Sequence, residues 1–168
     1  MIRLYAHSTD DTRDIATAIA MHVRASDMIV LIGEMGSGKT TFSQHFAHAL
    51  GVTEPVTSPT FNLLHNYAGG RLQLHHADLY RLERTGELDD LGLTDLQEAG
   101  GVMLVEWGDV VGDALGTGLV VKLVAPENAD TENSVTVRQI DIDWRGMQWE
   151  TRWDKLRSSL DTWAVSSL

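Results

Sequence analysis

"GEMGSGKTTF" (33–42) follows the unbroken apolar run "MIVLI" (28–32) and leads into "FSQHFAHALG" (42–51). A short apolar run without alternation reads as a strand buried on both faces, as central parallel strands are. The run after the glycines puts Phe42, Phe46, Ala49 and Leu50 on one helical face, and Gly51 is a natural C-terminal stop. Strand, glycine-rich turn, helix is how a chain wraps its backbone around phosphate. Gly33, Gly38, Lys39 and Thr40 fill the spacing G-x-x-x-x-G-K-[ST]. Glycines take positive φ and aim N–H groups at phosphate oxygens. The helix N-terminus adds partial positive charge. Lys39 suits the β- and γ-phosphates, and the Thr40 hydroxyl suits Mg²⁺. The loop therefore points to a nucleoside triphosphate, but not to the use made of its energy.

Working outward, "STDDTRDIATAIAMHVRA" (8–25) reads as a helix whose Ser8 and Asp11 form a capping box, with Ile15, Ala18, Ile19 and Val23 on one face. Two strand-like runs flank Gly69-Gly70 and suggest a hairpin. "GELDDLGLTDLQEAGG" (86–101) reads as short helices with Leu88, Leu91, Leu93 and Leu96 inward. "VMLVEW" (102–107) is another buried strand, and "GLVVKLVAP" (118–126) and "SVTVRQIDIDW" (134–144) are later ones. The end, "QWETRWDKLRSSL" (148–160), reads as a helix packing Trp149, Trp153, Leu156 and Leu160. Strands alternating with helices imply an α/β fold, a P-loop NTPase-type three-layer domain with a mainly parallel central sheet. At this length the expectation is a single domain over residues 1–168.

Ligands on such sheets sit at the carboxyl ends of the strands. Asp78 ends "LQLHHAD" and Glu106 ends "VMLVE". Either carboxylate could hold Mg²⁺, directly or through water, while the other positions the attacking water. Thr60 in "SPTF" (58–61) is placed like a switch threonine, able to reach the γ-phosphate and to let go after hydrolysis. No N-K-x-D pattern reads guanine, and "DDLG" (89–92) sits inside a leucine-rich helical run, so ATP is expected rather than GTP. His75 and His76 are adjacent on a strand and face opposite sides, so they do not share an ion; they, His45 and His48 read as polar surface.

The formal net charge of −11 argues against a primary nucleic-acid binder. There are no cysteines, which excludes disulfides and thiolate metal sites. No apolar run is long enough to span a membrane, and the N-terminus lacks a signal-peptide pattern. The expected location is the cytoplasm.

"GEMGSGKTTFSQHFAHALG" (33–51), "SPTF" (58–61), "HADLYRL" (76–82) and "VEW" (105–107), in that order and spacing, resemble the TsaE family (also called YjeE). This is the P-loop ATPase family of bacterial tRNA threonylcarbamoyladenosine biosynthesis. The resemblance runs from near residue 5 to about residue 126. It implies a weak Mg²⁺-dependent ATP hydrolase that acts with the TsaD and TsaB proteins. These install N6-threonylcarbamoyladenosine at position 37 of tRNA, and the ATPase resets the TsaD–TsaB complex between cycles. The tRNA is then met only through the partners. Carried over residue by residue, the resemblance assigns phosphate binding to Gly36, Ser37, Gly38, Lys39, Thr40 and Thr41, with Thr40 also on Mg²⁺. Glu106 corresponds to the family glutamate at Mg²⁺, Asp78 to the aspartate of "DLYRL", Thr60 to the switch threonine and Trp107 to the tryptophan beside the glutamate. Lys39, Asp78, Glu106 and Thr60 are the candidate catalytic residues; Thr40, Glu106 and Asp78 the candidate metal ligands. For adenine, the Thr9–Asp10 turn and the loop near Arg145-Gly146 are the places to look.

The alternatives are a small-molecule kinase on a similar core and a non-catalytic nucleotide-gated module. Such kinases carry a lid of clustered arginines; only Arg81 and Arg84 offer themselves.

Overall fold

Buried strands without alternation need cover on both faces, and β2 (Met28–Ile32) has it, with its first four residues buried. It pairs in parallel with β5 (Val102–Glu106) on one side and β6 (Gly118–Val124) on the other. β4 (Leu74–Asp78) runs parallel beside β5. This computed structural model describes residues 1–58, 63–68, 70–80, 82, 86–107, 115–125 and 137–164. Among them the sheet has seven strands in the order β1-β7-β6-β2-β5-β4-β3. The outer strands β1 (Ile2–Ala6), β7 (Arg138–Arg145) and β3 (Leu64–Tyr67) pair antiparallel to their neighbours. The parallel character expected from sequence thus holds for the four central strands, and the edges are antiparallel. β1 alternates buried and open residues, as an edge covered on one face does.

Two cores sandwich the sheet. Ile29, Leu31, Leu104 and Val121 pack with α1 (Thr9–His22), α2 (Lys39–Ala49) and α5 (Trp153–Leu160). Met28, Val30, Ala77, Met103 and Val105 pack against α3 (Gly86–Asp90) and α4 (Leu93–Glu98) on the other face. This is the expected three-layer arrangement. Half of the capping box of α1 is formed: Asp11 N–H donates to Ser8 Oγ (3.0 Å), while the Asp11 carboxylate accepts not from the Ser8 N–H but from that of His7, one residue earlier (2.7 Å). The hairpin of β3 and β4 is as read; Gly69 lies outside the described residues. Trp149, Trp153, Leu156 and Leu160 are all buried, but Trp149 sits on a 3₁₀ segment, Met147–Arg152, that precedes α5. Among the described residues no helix is long and apolar enough to cross a membrane.

Candidate active site

The glycine loop leaves β2 and enters α2 as its spacing requires. A Cβ on Gly33 would collide with the Leu123 carbonyl and the Ser37 hydroxyl, so the loop's first position is held open by close packing. Gly38 caps α2 in the left-handed region (φ 102°) with no side-chain hydrogen bond. The first N–H groups of a helix have no intrahelical partner, and here no cap side chain occupies them.

Lys39 is buried, and its Nζ donates to the carbonyls of Gly33 (2.5 Å) and Glu34 (2.9 Å). The ammonium also lies 3.8 Å from the centre of the Trp107 ring, a cation–π contact. Trp107 holds φ at +61°, unusual for a residue with a side chain. Such a backbone costs about 1–3 kcal/mol and persists where its surroundings fix it. Here the Tyr80 ring (centroids 4.8 Å apart) and Lys39 hold the indole.

Asp78 and Glu106 are the last residues of β4 and β5 and stand opposite one another in the ladder. Both are buried. Glu106 Oε1 accepts from Ser43 Oγ (2.7 Å) and lies 2.9 Å from His76 Nε2. Burial pushes the Glu106 carboxyl up. The hydrogen bond and charge of His76, the Ser43 hydroxyl and the charge of Lys39 outweigh it and hold the group below the usual carboxylate range. Asp78 accepts from the Ser58 hydroxyl on Oδ2 and from the Tyr80 N–H on Oδ1 (3.0 Å).

These elements enclose a cavity of about 410 Å³ lined by Gly36, Gly38, Lys39, Thr40, Thr41, Ser58, Asp78, Tyr80, Glu106 and Trp107, with Met35 and Leu63. Eight of the residues singled out from sequence therefore meet on one cavity: Gly36, Gly38, Lys39, Thr40, Thr41, Asp78, Glu106 and Trp107. Ser37 and Thr9 line a smaller hollow of about 70 Å³ with Ser8, Thr12, Gly38, Thr41 and Arg138. Ser37 Oγ is buried with no partner among the described residues. Thr60 lies outside the described residues, as do Arg81 and Arg84.

Two expectations need correcting. Arg145 ends β7 opposite Gly118, the first residue of β6, and a Cβ on Gly146 would strike Thr117. β6 runs parallel to β2, so this loop lies at the end of the sheet away from the glycines. Antiparallel pairing brings the other end of β7 to the site: Arg138 Nη2 reaches the Gly36 carbonyl at 3.5 Å. His75 and His76 are not polar surface either; both are buried, on opposite faces as expected. His75 Nδ1 lies 2.6 Å from Asn66 Oδ1, and burial lowers its pKa. His76 sits against Glu106.

An ion has suitable donors at this cavity. The Thr40 hydroxyl and the carboxylates of Asp78 and Glu106 are oxygen donors, the kind Mg²⁺ takes. Among the described residues no group of three or more His, Asp or Glu could hold a metal. Mg²⁺ does not need one, since it binds through one or two carboxylates, water and substrate phosphates.

The family described as "Threonylcarbamoyl adenosine biosynthesis protein TsaE" matches residues 6–136. The tRNA threonylcarbamoyladenosine biosynthesis protein TsaE of Bacillus subtilis is 38% identical over 127 residues, covering 76% of this chain and 78% of the relative. That of Treponema pallidum is 37% identical over 114 residues, covering 68% and 84%. The crystal structure of Bacillus subtilis YdiB superposes with a TM-score of 0.74 at 28% identity, over 96% of this chain and 97% of that one. The matched span carries the glycine loop, both strand-end carboxylates and Trp107, and on it the chain belongs to the TsaE family of tRNA threonylcarbamoyladenosine biosynthesis.

Proposed function

We propose that this protein binds ATP with Mg²⁺ and hydrolyses it in the cytoplasm, as one P-loop ATPase domain acting on the TsaD–TsaB complex that makes N6-threonylcarbamoyladenosine on tRNA. The observation that carries the reading is the convergence of the glycine loop, Lys39 and two adjacent buried carboxylates on one cavity, in a chain of this family.

Each residue has a task that its surroundings support. The N–H groups opening α2 and the flanking glycines cradle phosphate oxygens. Lys39, a compact charge on a flexible stem, neutralises the β- and γ-phosphates. Thr40 and one of the two carboxylates would hold Mg²⁺, directly or through water, and the remaining carboxylate would orient the attacking water. When bound, Mg²⁺ stabilises charge on the phosphate oxygens as the γ-phosphoryl leaves. Trp107 and Tyr80 wall the cavity, and the Trp107 ring lies against the ammonium. The hollow with Thr9 and Arg138 adjoins the other side of the loop and is where the nucleoside end would be met.

The test is phosphate release by the full chain with and without TsaD–TsaB. Slow release alone that rises with the partners is expected. Equal turnover in both conditions contradicts action on that complex. Transfer of the phosphoryl group to a small molecule would identify a kinase instead, and binding without any release a nucleotide-gated module.

A further inference from the structure

His76 has no part in the phosphate-loop pattern, yet it is completely buried and touches the site. It lies two residues before Asp78 on β4, so the two share a face of the sheet. In the parallel ladder His76 stands opposite Leu104 and Asp78 opposite Glu106. His76 is therefore the diagonal neighbour of Glu106, within reach of a long side chain. Its Nε2 lies 2.9 Å from Glu106 Oε1, and Ser43 Oγ, which also lies 2.9 Å from the Lys39 carbonyl, is on the same oxygen from α2 at the shorter distance of 2.7 Å. Two elements thus grip one oxygen of the carboxylate, and Glu106 still lines the cavity.

The other ring nitrogen argues that the grip matters. His76 Nδ1 is buried and has no hydrogen-bond partner among the described residues. An unmade hydrogen bond in the interior is unfavourable. A leucine or methionine would fill the volume without it. The imidazole repays the orphaned atom only through Nε2. Ionised Glu106 can only accept, so the proton of that bond sits on Nε2.

We propose that His76 is a positioning residue: with Ser43 it holds Glu106 Oε1 and so aims the other carboxylate oxygen into the cavity. This rests on the hydrolytic role given to Glu106 above. Partners of this kind fix the orientation of working carboxylates and metal ligands, and their loss costs about 10- to 100-fold.

The experiment compares wild type, His76→Leu, His76→Gln and Glu106→Ala with TsaD–TsaB present, measuring phosphate release at saturating ATP and ATP affinity by calorimetry. His76→Leu is expected to lose about 10- to 100-fold in turnover with affinity changed less than about threefold. His76→Gln, which restores an N–H donor at a similar reach, is expected to recover most of the loss. Normal turnover in His76→Leu beside an impaired Glu106→Ala overturns the positioning role alone. Normal turnover in Glu106→Ala overturns the reading beneath it. A parallel fall in affinity and turnover that glutamine does not rescue makes His76 a packing residue only and also overturns the proposal. Should His76→Leu fail to fold, nitrogen-15 NMR of the wild-type imidazole decides: a proton on Nε2 is expected, and a bare Nε2 overturns the assignment.

Discussion

Glu106 is ionised at a place where burial alone would favour the neutral acid, because His76, Ser43 and Lys39 compensate it. A carboxylate kept charged at the edge of the cavity acts most strongly where charge moves, in the transition state. Glu106→Ala is therefore expected to lose about 100-fold or more in turnover, with a much smaller change in ATP affinity. Phosphate release beside calorimetry checks this; normal hydrolysis would pass the role to Asp78. Both carboxylates were readable from sequence because each ends a strand-like run, apolar only for Glu106, and strand ends are where such sheets bind ligands. Their supports were harder to read. Ser43 is one helical turn beyond Lys39, and His76 is one strand repeat before Asp78, so periodicity could have placed both. Treating the histidines as surface residues hid the second. The partners of Ser58 and Arg138 carried no local signal, since only tertiary pairing brings these two residues to Asp78 and Gly36.

At the level of elements, the β1–β7 edge is held on its open face by Arg3 and Asp141, which stand opposite each other with Nε to Oδ1 at 2.8 Å. Burial tends to raise the Asp141 carboxyl, but the hydrogen bonds of Arg3 and Gln139 and the charges of Arg3 and Lys122 hold it below its ordinary value. A group depressed by folding contributes stability that is full above its unfolded pKa and is lost as pH falls through the folded one. Wild type should exceed Asp141→Asn in urea midpoint above about pH 5, and the gap should close on acidification. A gap that stays constant with pH would show that the charge contributes nothing. The central elements were largely readable, because "MIVLI" and "VMLVE" lack alternation, whereas the edge strand β1 was not among those expected. The 3₁₀ start of the last helical stretch was not readable, since Trp149 and Trp153 are four apart and suit an α-helical stripe equally well.

Across the whole molecule, the C-terminal segment is tied to the start of β2 by a buried ion pair. Arg152 Nη1 and Nη2 donate to Asp27 Oδ2 (2.5 Å) and Oδ1 (2.8 Å), and the guanidinium also bonds the carbonyls of His22 and Gln148. Removing one partner strands a buried charge, so Arg152→Ala should destabilise the fold by about 3–5 kcal/mol in denaturant unfolding. A loss below about 1 kcal/mol would mean that the pair is already solvated. This contact joins residues 125 positions apart, and no local pattern announces it. Strand order was hidden for the same reason: β7 lies between β1 and β6 although it comes last, and that order is what carried Arg138 to the site and Arg145 away from it. The proposed function has one charge and the N–H groups opening α2 meet the phosphates of ATP. Calorimetric titration of wild type and Lys39→Ala with ATP and Mg²⁺ tests that most directly. Binding by wild type and a loss of at least about tenfold in affinity on removing the ammonium, or about 1.4 kcal/mol, is the predicted result. Equal affinity of the two proteins would contradict the assignment of the loop to phosphate.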